Sequence, residues 1–253
     1  MRIFAPEIHL STEAQMPRRL RFAPPGYSLH LTQRGNNQQT VFSTLADRQH
    51  FLKLLETCSE RREVRIAAYA LMPNHFHLVA IGDRTDAISL FMMDVNGQYA
   101  TYRNATQRTK GHVWQNRFYS CVLDTAHWET ALRYVELNAV RARLAKSAAD
   151  YRWSSAPAHL GLVDPPAWLD TDAFQSRWPS PAQWQECLTS LSRREVAAIR
   201  HATRHDSALG SDDFIQGLER TYQIQLRAKP LSRPRKAPLV ELLGGMGSHS
   251  ASA

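Results

Sequence analysis

The 253-residue chain is poor in cysteine: Cys58, Cys121 and Cys187 stand far apart with no CxxC spacing. That excludes a disulfide scaffold and a cysteine zinc site, and it fits a reducing cytoplasm. No apolar run approaches the roughly 20 residues of a membrane span, which excludes an integral membrane helix. Glu7, His9 and Glu13 stand where a secretory signal needs an apolar stretch, so secretion is not expected. No self-similarity appears at solenoid periods. Acidic residues are also scarce, 23 against 31 Lys and Arg, for a net charge of +8. What is present is a core-forming composition, 43% hydrophobic and 9% aromatic, which excludes global disorder. The basic excess points to a polyanionic partner, most often nucleic acid; a basic enzyme of a small metabolite is the alternative on charge alone.

Apolar periodicity orders the chain as β-α-β-β-α-β-α. Strands are predicted over 27–34, 64–71, 75–81 and 117–123, and helices over 44–60, 85–107 and 125–144. Gly35, Asn36 and Asn37 close the first strand as a turn, and Thr44 is a helix N-cap. Pro73 and Asn74 join the middle strands: Pro presets φ and Asn tolerates the left-handed region. The first six elements form the split βαβ pattern of an α+β, ferredoxin-like antiparallel sheet with helices on one face. Beyond 155 come a proline-punctuated connector and two short helices near 191–203 and 211–224. The tail carries Lys229, Arg233, Arg235 and Lys236 before any acid and reads as a disordered basic arm.

His75-Phe76-His77 is the sharpest local feature. On a strand, residues i and i+2 share a face, so both imidazoles project together and suit a divalent ion. Alone the signal is weak, because this composition yields roughly 0.2 such tripeptides by chance. Two structural histidines are the alternative. Tyr134 and Asn138, spaced i and i+4, share one face of the last predicted helix. A tyrosine can act as nucleophile toward phosphate when a metal lowers the charge barrier, and an asparagine oxygen can join the same metal. A core-edge tyrosine and a solvated asparagine are the plain readings.

Met72-Pro73-Asn74-His75-Phe76-His77-Leu78 resembles the histidine–hydrophobe–histidine motif of single-tyrosine HUH (IS200-like) transposases. Segments 29–37, 113–118, 133–142 and 151–156 resemble, in order, the subgroup associated with repetitive extragenic palindromes, the REP-associated tyrosine transposases. The similarity covers roughly 17–160 and continues faintly through 199–203 to 233–236. One departure is Ala139, where many relatives carry Pro; it should leave the helix slightly more regular. The resemblance implies domains over 17–155 (transposase), 156–226 (helical accessory region) and 227–253 (basic tail), after an extension over 1–16. It implies a metal-dependent endonuclease and strand transferase on single-stranded, hairpin-forming DNA in the nucleoid. Tyr134 would be the nucleophile, joined to the 5′ phosphate, and His75, His77 and Asn138 would hold Mg²⁺ or Mn²⁺. Arg18, Arg19, Arg21, Arg34, Arg117, Arg141, Lys229, Arg233, Arg235 and Lys236 would contact DNA phosphates. Trp114, Tyr119 and Trp153 are candidates to stack on unpaired bases. Two rivals remain at this point: a catalytically silent, domesticated protein that binds REP hairpins, and a metal nuclease that uses water.

Overall fold

The computed structural model describes residues 21–189 and 191–226. Strand β1 (Ser28–Arg34) is followed by helix α1 (Leu45–Arg62), the hairpin β2 (Val64–Met72) and β3 (His75–Gly82), helix α2 (Ala87–Gln107) and strand β4 (Tyr119–Leu123). Then come α3 (Thr125–Glu136), α4 (Asn138–Arg141), α5 (Ala156–His159), α6 (Asp172–Arg177) and α7 (Pro181–Cys187). Helix α8 (Arg193–Arg204), the short strand β5 (Ala208–Leu209) and α9 (Asp212–Tyr222) complete the described chain.

Local chemistry sets these boundaries. Thr44 caps α1 with a reciprocal box: Asp47 N–H donates to Thr44 Oγ1 at 3.1 Å and Thr44 N–H to Asp47 Oδ2 at 2.8 Å. At the end of β1, a Cβ on Gly35 would sit 2.5 Å from the Gln39 carbonyl oxygen, so only glycine fits where the chain doubles back. Asn37 follows in the left-handed region at φ 49°. Asn74 does not: its φ is not positive, so it serves the β2–β3 turn through its side chain instead.

The sheet order is β2-β3-β1-β4-β5, and the first four strands have the antiparallel ferredoxin-like arrangement. β5 adds a short parallel pairing on β4, making the sheet mixed. Strand alternation divides the core. Leu29, Leu31, Phe76 and Leu78 face α1 and α2, where Phe51, Leu55, Phe91 and Tyr99 complete the larger cluster. Burying each such side chain contributes about 1.5–3 kcal/mol. The expected one-sided helix layer is this α1/α2 layer, but the other face is covered as well. Ala68, Ala70, Val79, Cys121 and Leu123 are apolar at the alternate positions, and they pack against Leu132 and Val135 of α3 and Ile199 and Ala202 of α8.

The continuous helix predicted over 125–144 is two pieces. Leu137, at φ −80° and ψ 2°, separates α3 from α4. Arg141 explains the break: its Nη2 donates to the Tyr134 carbonyl at 2.7 Å, the oxygen that the Asn138 N–H would reach in an unbroken helix. The proline-rich connector also contains helices that the sequence reading left out. Pro181 occupies the first turn of α7 behind a Ser180 capping box, a position where proline starts helices rather than breaking them.

Candidate active site

Register decides which side chains share the second face. Thr32 pairs with His77, Arg34 with His75, His30 with Cys121, and Thr32 with Tyr119 across β4. Paired residues point to the same side, so His30, Thr32, Arg34, His75, His77 and Tyr119 form one surface at the end of the sheet where the apolar packing stops. Tyr134 from α3, Asn138 and Arg141 from α4, and Arg200, Thr203 and Arg204 from α8 close the opposite wall. Together these residues line a cleft of about 580 Å³.

Within it, the His75 and His77 rings meet edge to face at 4.9 Å, and His77 meets Tyr134 at 5.5 Å. Arg141 lies over the Tyr134 ring at 4.2 Å. Arg200 Nε–H donates to the Tyr134 hydroxyl oxygen at 3.4 Å. Tyr134 itself is only 4% exposed, so its ring is fixed by packing while its oxygen meets a cation.

Burial dominates the titration of the histidines. It holds His30 down at about 3 and His75 at about 4, with Arg141 acting on the first and Arg34 and Arg200 on the second. His77 is held well below its ordinary value by burial, then by His75 and His30. The rings are therefore neutral near pH 7, each with one nitrogen lone pair. His75 Nδ1 lies 2.6 Å from Asn74 Oδ1, while Asn74 Nδ2 donates to the Gln38 carbonyl at 3.3 Å. Asn74 thus accepts from His75 Nδ1–H, and the His75 lone pair is on Nε2. Among the described residues, no protein group bonds the Nε2 of His75 or His77. The Asn138 Nδ2 is buried and likewise unpartnered. Two free imidazole nitrogens in one cleft fit a divalent ion, which Asn138 would meet through its amide oxygen, while its free Nδ2, a donor, suits an anionic oxygen. Among the described residues, no group of three or more His, Cys, Asp or Glu offers an alternative.

Residues 25–138 match the family described as Transposase IS200 like. That stretch, a little under half of the chain, is what resembles an IS200-like transposase domain. No curated protein matches it significantly. Among solved structures, a REP-associated tyrosine transposase bound to a REP hairpin is 18% identical, over 62% of this chain and 93% of that one, with a TM-score of 0.49. A candidate transposase of Deinococcus radiodurans R1 is 17% identical, over 45% of this chain and 94% of that one, with a TM-score of 0.33. No helix among the described residues is long and apolar enough to cross a membrane.

The fold brings His75, His77, Tyr134, Asn138, Arg34 and Arg141 into a single cleft. Arg21 is not a cleft-lining residue; it borders the cleft behind Tyr119, ion-paired with Asp206 and set over the rings of Phe118 and Tyr119. Arg117 precedes β4 and is not among the cleft residues. Arg18, Arg19, Lys229, Arg233, Arg235 and Lys236 lie outside the described residues. Trp114 is not placed for base stacking: its indole N–H donates to the Asn96 carbonyl at 2.9 Å and its ring packs on Phe42, Phe51, Phe76 and Tyr99. Trp153 is flanked by Arg48 and Arg152, whereas Tyr119 lines the cleft.

Sequence reasoning missed His30, Arg200, Thr203 and Arg204. His30 shares strand parity with Arg34, and Arg200, Thr203 and Arg204 follow i, i+3, i+4 spacing on one helix face. Both signals were in the chain, but only the sheet brings α8 to β1.

Proposed function

We propose that this protein is an IS200-like transposase that cuts and rejoins single-stranded DNA beside hairpins formed by repetitive extragenic palindromes, using Tyr134 as nucleophile. The observation that carries the reading is the Tyr134 hydroxyl, held by Arg200 in the same cleft as the two neutral histidines and Asn138. The tyrosine oxygen bonds to the scissile phosphorus as the bond to the 3′ oxygen breaks. The phenolic proton leaves to solvent, and a protonated 3′-OH is released. The DNA stays joined through its 5′ phosphate, and that phosphoester keeps the energy needed for rejoining. His75, His77 and Asn138 would hold Mg²⁺ or Mn²⁺. When bound, the ion supplies Lewis-acid polarisation of the phosphate and orients it for in-line attack. None of the three ligands is anionic, so the DNA phosphate itself must complete the site's affinity for a hard cation.

Arg34, Arg141 and Arg204 give the cleft a positive wall on which a phosphate backbone can lie. Arg200 donates to the tyrosine oxygen, where negative charge appears as the phenol loses its proton and again when that oxygen leaves during rejoining. On this reading the transposase unit spans 17–155, the region over 156–226 reaches back to complete the cleft, and the protein works on the nucleoid.

The deciding experiment incubates wild type and Tyr134→Phe with a labelled hairpin oligonucleotide and Mg²⁺ or Mn²⁺, and resolves the products on a denaturing gel. Wild type should cut and leave a protein–DNA adduct, and the Phe variant should do neither. Cutting by Tyr134→Phe would identify a water-using nuclease, and no cutting by wild type would identify a binding protein.

A further inference from the structure

We propose that Thr203 and His30 are positioning residues for His77: a one-way hydrogen-bond chain makes His77 the Nδ1–H tautomer and leaves its lone pair on Nε2. This rests on the reading of His77 as a metal ligand, and Thr203 lies beyond the 25–138 family match.

Three buried contacts make the chain. Thr203 Oγ1 is 2.7 Å from the Ile199 carbonyl oxygen, His30 Nδ1 is 2.8 Å from Thr203 Oγ1, and His30 Nε2 is 2.9 Å from His77 Nδ1. A carbonyl oxygen can only accept, so the single Thr203 hydroxyl proton goes to Ile199. Thr203 Oγ1 must then accept at His30, which places the His30 proton on Nδ1. His30 Nε2 is consequently a bare acceptor, so the proton in the His30–His77 contact belongs to His77 Nδ1. Reversing the chain would set a hydroxyl lone pair against a carbonyl at 2.7 Å. Doubly protonating His30 is the other way to fill the contacts, but it would bury a cation at a ring 1% exposed whose two nitrogens meet only Thr203 and His77, with no carboxylate between them.

Ring geometry agrees. The His30 and His77 planes differ by 13° with centroids 5.1 Å apart, which at an N···N distance of 2.9 Å is a side-by-side pair rather than a face-on stack. Helix α8 therefore reaches the metal-binding strand through one hydroxyl. Asn74 plays the equivalent part for His75. Both imidazoles then offer Nε2, each with its other nitrogen held by the protein, the arrangement that fixes ring orientation and raises ligand basicity.

The test uses the full chain without DNA. Long-range ¹H–¹⁵N spectra of the metal-free protein report which nitrogen of His77 carries the proton. Free Mn²⁺, followed by its electron paramagnetic resonance signal, reports affinity for the ion alone. Wild type should show His77 protonated on Nδ1. Thr203→Val keeps the side-chain shape and removes the hydroxyl; it should populate the Nε2–H tautomer and weaken Mn²⁺ binding about tenfold. Thr203→Ser should restore both, which a purely structural role for the threonine methyl would not. A wild-type His77 protonated on Nε2 would overturn the proposal, as would a Val variant with unchanged tautomer and Mn²⁺ affinity. Wild type with the expected tautomer, responsive to Thr203→Val, supports the relay even if no Mn²⁺ binds; that last result would overturn the metal reading instead.

Discussion

Helix α3 carries two polar clusters two residues apart, and they are built on opposite terms. Glu136 is completely buried. Its Oε1 accepts from Ser155 Oγ at 2.5 Å and from His159 Nδ1 at 2.6 Å, and its Oε2 accepts from Trp184 Nε1 at 2.8 Å. His159 stacks on Phe174 at 3.8 Å, so the cluster ties α5, α6 and α7 to α3. Both carboxylate oxygens have partners, and only His159 Nε2 lacks one. The Tyr134 cluster keeps groups in reserve: Asn138 Nδ2 and Arg141 Nε and Nη1 are buried without partners. Unpartnered buried polar atoms cost about 1–3 kcal/mol each. A protein keeps such a cost where a ligand later supplies the missing partners. The joint is almost fully satisfied, whereas the cleft holds three unpartnered donors side by side on α4.

The sharpest way to break this contrast is to exchange the consequences. Tyr134→Phe should abolish cleavage and adduct formation while leaving the melting temperature and hairpin affinity close to wild type. Glu136→Ala should do its damage through stability, because three buried donors lose their acceptor. A loss of about 3–5 kcal/mol is expected, lowering Tm by about 10 °C. Calorimetry on both variants checks this. A stable Glu136→Ala protein, or an unfolded Tyr134→Phe protein, would mean that the roles are misassigned.

Next in size is Arg200→Gln. It removes the cation beside the tyrosine oxygen from a helix outside the family match, so single-turnover cleavage should fall about 100-fold with little change in hairpin binding. Equal losses in both would make Arg200 a backbone contact.

The pH response should separate the clusters more gently. His30 and His75 are neutral in the folded chain, with pKa values depressed to about 3 and about 4, against 6.5 when unfolded. Below pH 6.5 the unfolded chain therefore takes up protons that the folded chain refuses until these lower values are reached. The associated stability is fully present above pH 6.5 and declines as pH falls toward 4 and then 3. Melting curves between pH 8 and 4 check this; a flat Tm across that range would contradict the burial of the two rings. The smallest expected effect is that of Arg34→Gln, which should weaken binding modestly and reduce the salt slope of single-strand affinity by about 0.7. An unchanged slope would take Arg34 off the DNA path.

Much of this was legible in the chain. Strand alternation and turn chemistry located the elements, and the i, i+2 spacing of His75 and His77 anticipated their shared face because β geometry leaves no choice. The i, i+4 pairing of Tyr134 and Asn138 puts them in one cleft with the histidines although the helix between them breaks. That break was hidden because it depends on a guanidinium, Arg141, folding back onto a carbonyl. Thr203 and Arg200 were hidden for a different reason: a helix face says which residues travel together, not which strand they meet. Trp114 showed the reverse error, an aromatic that composition offers to a nucleobase and packing gives to the core.

The short parallel pairing at the end of the sheet has a practical meaning for dissecting the protein. Val122 N–H donates to the Ser207 carbonyl at 3.1 Å and Asp124 N–H to the Leu209 carbonyl at 3.1 Å, so the segment after α8 closes an edge of β4. A fragment ending near residue 160 would retain the histidines, the tyrosine and the whole family match. It would also bare that edge, together with the apolar face formed by Val79, Cys121 and Leu123. Unpaired strand edges beside exposed apolar surface template intermolecular pairing. Such a fragment should self-associate, and it would also lack Arg200 and Thr203, so inactivity in it would not test Tyr134 or the histidines; the unit to assay runs through β5.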